Sequence, residues 1–217
     1  LFIPTKIRQM KTAKAIVLAG IFFASTLIAQ SKYFEKTYAW TQNHAGMTIT
    51  SIDNGNYLIN CGFFITGNDT NSSALLSITP IGELAFLEQY IEDDYENIVR
   101  EIIKNDNGYL LAGWSRTYSP ELQMFIYIIQ TDFEGNKLGS TILSPDDFRC
   151  GAYTGFRTSD GGFMIGGFVI PYLSSPFFHE PYIVKLDASG QVQWSHTYDN
   201  YVANNWVEDM LPSEDGG

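Results

Sequence analysis

Apolar residues in this chain recur in short runs separated by polar turns. Within residues 97–143 four such runs stand out: 97–103, 109–115, 124–131 and 137–143. The second and third are apolar almost throughout, as in Tyr109-Leu110-Leu111-Ala112 and Phe125-Ile126-Tyr127-Ile128-Ile129. Such runs bounded by turn residues predict strands. A strand that is apolar on both faces has to be covered on both faces. The fourth run is more polar, as an outer edge would be.

The turns between the runs repeat. Asp53-Asn54-Gly55 precedes Tyr57-Leu58-Ile59, and Asp106-Asn107-Gly108 precedes Tyr109-Leu110-Leu111. Asp160-Gly161-Gly162 precedes Phe163-Met164-Ile165, and Asp215-Gly216-Gly217 ends the chain. The Asp positions are 53, 54 and 55 residues apart. A second marker keeps the period: Thr79-Pro80-Ile81-Gly82, Asp132-Phe133-Glu134-Gly135 and Asp187-Ala188-Ser189-Gly190. A third closes each unit, at Thr37-Tyr38, Gln89-Tyr90, Ile142-Leu143 and Thr197-Tyr198. Asn-Gly and Asp-Gly turns supply the positive φ that tight hairpins need.

Four-stranded antiparallel units of this length, each sandwiched between copies of itself, predict an all-β chain, a β-propeller. A stacked β-solenoid is the alternative, although its coils are usually much shorter. The expected blades cover about 46–90, 97–143 and 151–198. Residues 32–38 read as a lone fourth strand and 205–211 as the first strand of another blade. The expectation is therefore an incomplete arc, three blades plus flanking strands.

The string from Asp160 to Asn200, DGGFMIGGF…EPYIVKLDASGQVQWSHTYDN, resembles the repeat common in secreted β-propeller proteins of Bacteroidetes-type bacteria. That repeat reads DGGY-aliphatic-AG, then aliphatic-Lys-x-Asp-x-x-Gly-x-x-x-Trp, then Lys-Thr-Tyr-Gly. Lys185, Asp187, Gly190, Trp194, Thr197 and Tyr198 match it here. The first unit has Thr79 where the others have Asp. The resemblance covers about 34–217 and implies a seven-bladed ring with a C-terminal sorting domain.

Residues 10–29 change the destination. Lys11 and Lys14 precede an uncharged, mostly apolar run from Ala15 to Ala29. This is the layout of a secretory signal peptide. Fifteen residues fall short of the ~20 that span a bilayer as a helix. Met10 stands where such a peptide would start, so residues 1–9 read as upstream sequence. The expected location is outside a bacterial cell or on its surface, with no stable membrane span after cleavage.

Charge and cysteines narrow the partners. The chain carries 13 Lys+Arg against 24 Asp+Glu, a net −11. Removing 1–29 takes away Lys6, Arg8, Lys11 and Lys14 and no acid, leaving 9 basic and 24 acidic residues, or −15. So acidic a chain is a poor partner for nucleic-acid phosphates. Cys61 and Cys150 are separated by a whole blade, beyond the ~7 Å reach of a disulfide. Both are expected to be free, buried thiols.

Tight turns alternate with longer connections, at 65–72, 116–123, 171–181, 91–96, 144–150 and 199–204. In antiparallel blades these all fall on one face, where binding residues usually reside. Tyr118, Tyr172, Phe177, Phe178, His179 and Tyr201 are the candidate partner residues there. The aromatic loop 171–179 either stacks on a sugar or protein partner or folds back onto its blade. Asp93, Asp94, Asp146, Asp147 and Asp199 are candidate calcium ligands, against the plainer reading of a solvated acidic loop. The turn aspartates recur in every unit, so they read as structural acceptors of backbone hydrogen bonds, not as catalytic groups.

His44, His179 and His196 show no metal-ligand spacing, and no nucleophile elbow or phosphate loop is present. No cofactor is therefore expected. Two functions fit: an exported, non-catalytic binding module for a protein or glycan, or the N-terminal part of a secreted polysaccharide hydrolase or lyase with its catalytic residues in further blades.

Overall fold

The computed structural model describes residues 36–38, 44–65, 70–92, 95–117, 122–146, 148–172, 178–198 and 204–213. Among these the chain is all-β, with three four-stranded antiparallel sheets and no helix. The first sheet holds β1 (His44–Ser51), β2 (Tyr57–Ile65), β3 (Thr70–Ile78) and β4 (Leu84–Tyr90). The second holds β5 (Glu96–Lys104), β6 (Tyr109–Thr117), β7 (Gln123–Thr131) and β8 (Lys137–Leu143). The third holds β9 (Phe148–Arg157), β10 (Phe163–Pro171), β11 (Glu180–Leu186) and β12 (Val192–Thr197). Strands follow one another within each sheet in chain order. All three sheets belong to one compact unit, Thr37–Gly217.

The apolar runs behave as their composition requires. The second sheet is covered on both faces. Tyr109, Leu111, Tyr127 and Ile129 join Leu58, Leu75 and Tyr90 in a core with the first sheet. Their sheet neighbours Leu110, Ala112, Ile126 and Ile128 join Ile165, Val184 and Leu186 in a core with the third. Alternation along a strand sends successive side chains to opposite faces, so an unbroken apolar run serves two cores. The polar fourth strands are the exposed ones, as at Val192–Thr197. The first strand of each sheet packs on the preceding sheet: β5 on β1, β2 and β3, and β9 on β5, β6 and β7.

The repeated turn residues have visible tasks. Six glycines sit at positive φ, two per sheet, one in each tight turn. In the turns between third and fourth strands, Asp132 Oδ1 accepts the Glu134 and Asn136 amides at 3.0 and 2.8 Å. Asp187 Oδ1 accepts those of Ser189 and Gln191 at 2.8 and 2.9 Å. Thr79 supplies a hydroxyl in the same place, accepting the Glu83 amide at 3.0 Å. Its departure from the Asp pattern therefore preserves the hydrogen bond.

The closing tyrosines tie units together. Tyr38 donates its hydroxyl to the Gly82 carbonyl at 2.6 Å, and Tyr90 donates to the Gly135 carbonyl at 2.8 Å. Each thus reaches the third-to-fourth turn of the following sheet. Leu143 has no hydroxyl and instead packs against the core between the second and third sheets. At the same end, Lys104 pairs with Asp53, and Arg157 with Asp106, again across neighbouring sheets.

Several boundaries differ from the sequence expectation. The third unit begins at Phe148, so Cys150 lies inside β9. Residues 205–211, expected as a strand, form no strand ladder. Among their bonds to the third sheet and its approach, the Val207 N–H donates to the Gly167 carbonyl at 3.0 Å and the Asn205 N–H to the His179 carbonyl at 2.9 Å. Cys61 and Cys150 are both free and buried. Burial pushes the Cys150 thiol up to about 12.

Candidate functional site

Antiparallel order puts every tight turn at one end of the sheets and every longer connection at the other. Chain continuity from β4 to β5 and from β8 to β9 keeps those ends aligned. The described part of the longer end carries both apolar and charged groups. Buried Glu96 pairs with Arg116 and accepts a hydrogen bond from Asn71. The Arg116 guanidinium also lies 5.0 Å from the Trp114 ring centroid.

Of the residues expected at this end, Tyr172 is half-buried, with the Arg149 guanidinium 5.4 Å from its ring centroid. Phe178 is half-buried as well. His179 packs on the Phe168 ring at 4.8 Å and on the Trp206 ring at 6.2 Å. Its backbone N–H donates to Asn204 Oδ1 at 3.0 Å, and its Nδ1 lies 3.1 Å from the same oxygen. Its carbonyl accepts the Asn205 amide at 2.9 Å. The histidine thus clamps the 204–213 segment onto the third sheet. Tyr118, Phe177 and Tyr201 lie outside the described residues, as do Asp93, Asp94, Asp147 and Asp199. Asp146 is exposed between β8 and β9. Among the described residues no three His, Cys, Asp or Glu side chains gather as a metal site would require.

The sequence reading missed a second feature, built on the first strands. Each first strand carries a bulge opposite its second strand, and the extra residues are Met47, Arg100 and Tyr153. A bulge leaves one residue without a partner and re-aims its side chain. The three positions are 53 residues apart, and the next step of 53 is Trp206. The last three side chains meet in sequence. Arg100 lies 5.1 Å from the Tyr153 ring centroid, and the Tyr153 and Trp206 centroids are 6.4 Å apart at 78°. The exact spacing was the available signal, masked because the four side chains share no chemistry.

Carboxylates flank this file. Glu208 accepts the Trp206 indole N–H. Asp209 Oδ1 accepts the Thr154 hydroxyl at 3.4 Å. Burial pushes the Glu101 carboxyl above its ordinary range, and the Asp209 charge adds to that.

At the turn end, Asp160 accepts from the Thr158 hydroxyl, the Lys185 ammonium at 2.9 Å and the Gly162 amide at 3.1 Å. These bonds hold its carboxyl well below the usual range. Lys185 is buried and also donates to Thr158 Oγ1 and the Leu186 carbonyl. This matched motif lysine is therefore a tie between a strand and a turn.

No protein-family model matches the sequence, and comparison with the curated proteins finds no match.

Proposed function

We propose that the three sheets are blades of a β-propeller arc and that the chain is an exported, non-catalytic binding module. It recognises a protein or a glycan at the cell surface through the end bearing the longer connections. One observation carries this reading: every longer connection rises from the same end of three stacked sheets, and half-buried Tyr172, Phe178 and His179 stand there. Rigid sheets with variable loops at one end suit recognition. The face-to-face packing of successive sheets and the 53-residue period favour blades over the coils of a solenoid. Export is supported by the signal-like layout of residues 10–29, and the Bacteroidetes-type likeness points the same way. No helix of the described residues is long and apolar enough to cross a membrane.

The test is direct. The whole chain is applied to immobilised polysaccharides and to purified cell-surface proteins, beside the double variant Tyr172→Ala/Phe178→Ala. Binding that the double variant loses while keeping its circular dichroism supports the reading. Unchanged binding removes the loop end from it.

A further inference from the structure

The turn between first and second strands is built in two ways. In the first sheet it is a three-residue loop, 53–55: the Ile52 N–H donates to the Asn56 carbonyl at 2.9 Å and the Gly55 N–H to the Ile52 carbonyl at 2.9 Å. The third sheet repeats this, with the Thr158 N–H on the Gly162 carbonyl and the Gly161 N–H on the Thr158 carbonyl. Gly55 and Gly161 sit at φ 83° and 84°. In the second sheet the loop is one residue shorter, Asp106–Asn107, closed by the Asn105 N–H to the Gly108 carbonyl at 3.0 Å. No corresponding bond ties the Gly108 N–H to the Asn105 carbonyl, and Gly108 has φ 153°. Asn-Gly steps occur at 54–55 and 107–108 of the chain, so the same dipeptide stands in two different settings.

An asparagine before glycine can close on its own backbone. Glycine suits the step because no Cβ shields its nitrogen. That nitrogen, its proton taken by hydroxide or a buffer base, attacks the asparagine Cγ. The N–Cγ bond forms, the Cγ–Nδ2 bond breaks, and the amide leaves as ammonia with a proton from water. Water then opens the succinimide ring at either carbonyl, giving aspartate or isoaspartate. The net change consumes one water and releases one ammonia, with no oxidation or reduction.

Hydrogen bonds decide which step reacts. At Asn54, Oδ1 accepts the Asn56 N–H at 2.9 Å, and the attacking nitrogen of Gly55 is committed to the Ile52 carbonyl. Both bonds must open before nitrogen and Cγ meet. The Asn107 side chain is exposed and has no hydrogen-bond partner among the described residues. Only its backbone N–H is held, by Asn105 Oδ1 at 2.8 Å. A hollow of about 150 Å³ borders Asn105, Asp106 and Asn107, room enough for the water the step consumes. We propose that Asn107 is a site of spontaneous deamidation and that Asn54 is protected from it. The product falls at a joint. Isoaspartate adds a backbone methylene to the loop that sets the Lys104–Tyr109 pairing, beside the Asp106–Arg157 pair that ties the second sheet to the third.

The whole chain, folded and in parallel unfolded in urea, is held at mildly alkaline pH and body temperature, sampled over weeks and digested with trypsin. Cleavage after Lys104 and Arg116 isolates Asn107 in peptide 105–116, and Asn54 lies in peptide 37–100. Each deamidation adds about 1 Da, and tandem mass spectrometry assigns its position. The folded chain should gain this mass at Asn107 about tenfold faster than at Asn54 or more, because two hydrogen bonds guard Asn54. The unfolded chain, its turns gone, should react at both steps at similar rates. Asn107→Gln, whose longer side chain closes its ring slowly, should remove the gain at that position. After ageing, the parent should unfold at a lower urea concentration than Asn107→Gln aged beside it. The proposal falls if Asn107 stays intact in the folded chain while the unfolded chain loses it, or if Asn54 reacts as fast as Asn107 in the folded chain. Equal urea midpoints for the aged parent and aged Asn107→Gln overturn the damage to the joint.

Discussion

Two bulges place backbone against backbone closely enough that only glycine fits, and this gives a sharp test of the sheets. A Cβ at Gly113 would lie 1.9 Å from the Ile98 carbonyl oxygen and 2.7 Å from Val99 Cα. At Gly167 it would lie 1.9 Å from the Gly151 carbonyl oxygen and 2.9 Å from Ala152 Cα. The obstacle is backbone at both sites, so no side chain can swing aside. Comfortable contact requires opening a gap of roughly 1.5 Å between paired strands.

Such overpacking costs about 1–3 kcal/mol. The one or two ladder hydrogen bonds disrupted beside the bulge add about 1 kcal/mol each. Gly113→Ala and Gly167→Ala should therefore each lose about 2–5 kcal/mol, against typical total stabilities of about 5–15 kcal/mol. For a domain of this size, that lowers Tm by about 5–15 °C. Gly139 in β8 is the control, because a Cβ there meets nothing within 4 Å. Alanine relieves the entropic cost of a strand glycine, so Gly139→Ala should be neutral or gain up to about 1 kcal/mol. Urea unfolding followed by tryptophan fluorescence measures all three. If Gly113→Ala and Gly167→Ala unfold at the same urea concentration as Gly139→Ala, the bulge geometry is wrong.

Three further outcomes are expected. Tyr90→Phe deletes the buried bond to the Gly135 carbonyl and should cost about 1 kcal/mol by urea unfolding, while Tyr198→Phe, at a half-exposed closing position, should cost nothing measurable. Asp132, Asp160 and Asp187 are held below the ordinary carboxylate range, chiefly by the Asn136 side chain, the Thr158 hydroxyl and the Ser189 hydroxyl respectively. Their depressed folded values make the contribution full above the unfolded value near 3.8 and lost as pH falls through the folded values, so the triple Asp→Asn variant should show a shallower fall in Tm from pH 5 to pH 2. Thiol titration should find two free cysteines after denaturation and slow reaction before it, since burial raises both thiols.

Most of the fold was legible because its causes are local. Glycine is needed where φ is positive, so Gly82, Gly135 and Gly190 announced turns. Period-2 side-chain alternation turned the runs at 109–112 and 125–129 into strands with two buried faces. The boundary of β9 was less legible, because Phe148-Arg149 reads as loop until its pairing with Ile170 and Pro171 is seen. Of the candidate partner residues, the aromatic character of Tyr172, Phe178 and His179 was plain, but not that His179 would spend its contacts on Phe168, Asn204 and Trp206.

The sequence by itself determined the strand count per unit, the turn chemistry and the demand for neighbours on both faces, since each follows from residues adjacent along the chain. Only tertiary structure decided what crosses between units. Tyr38 and Tyr90 find carbonyls 44 and 45 residues away, and Lys104 and Arg157 each find an aspartate 51 residues back. Met47, Arg100, Tyr153 and Trp206 share a 53-residue spacing but no chemistry. Arg100, Tyr153 and Trp206 come together only because the second sheet, the third sheet and the 204–213 segment pack side by side.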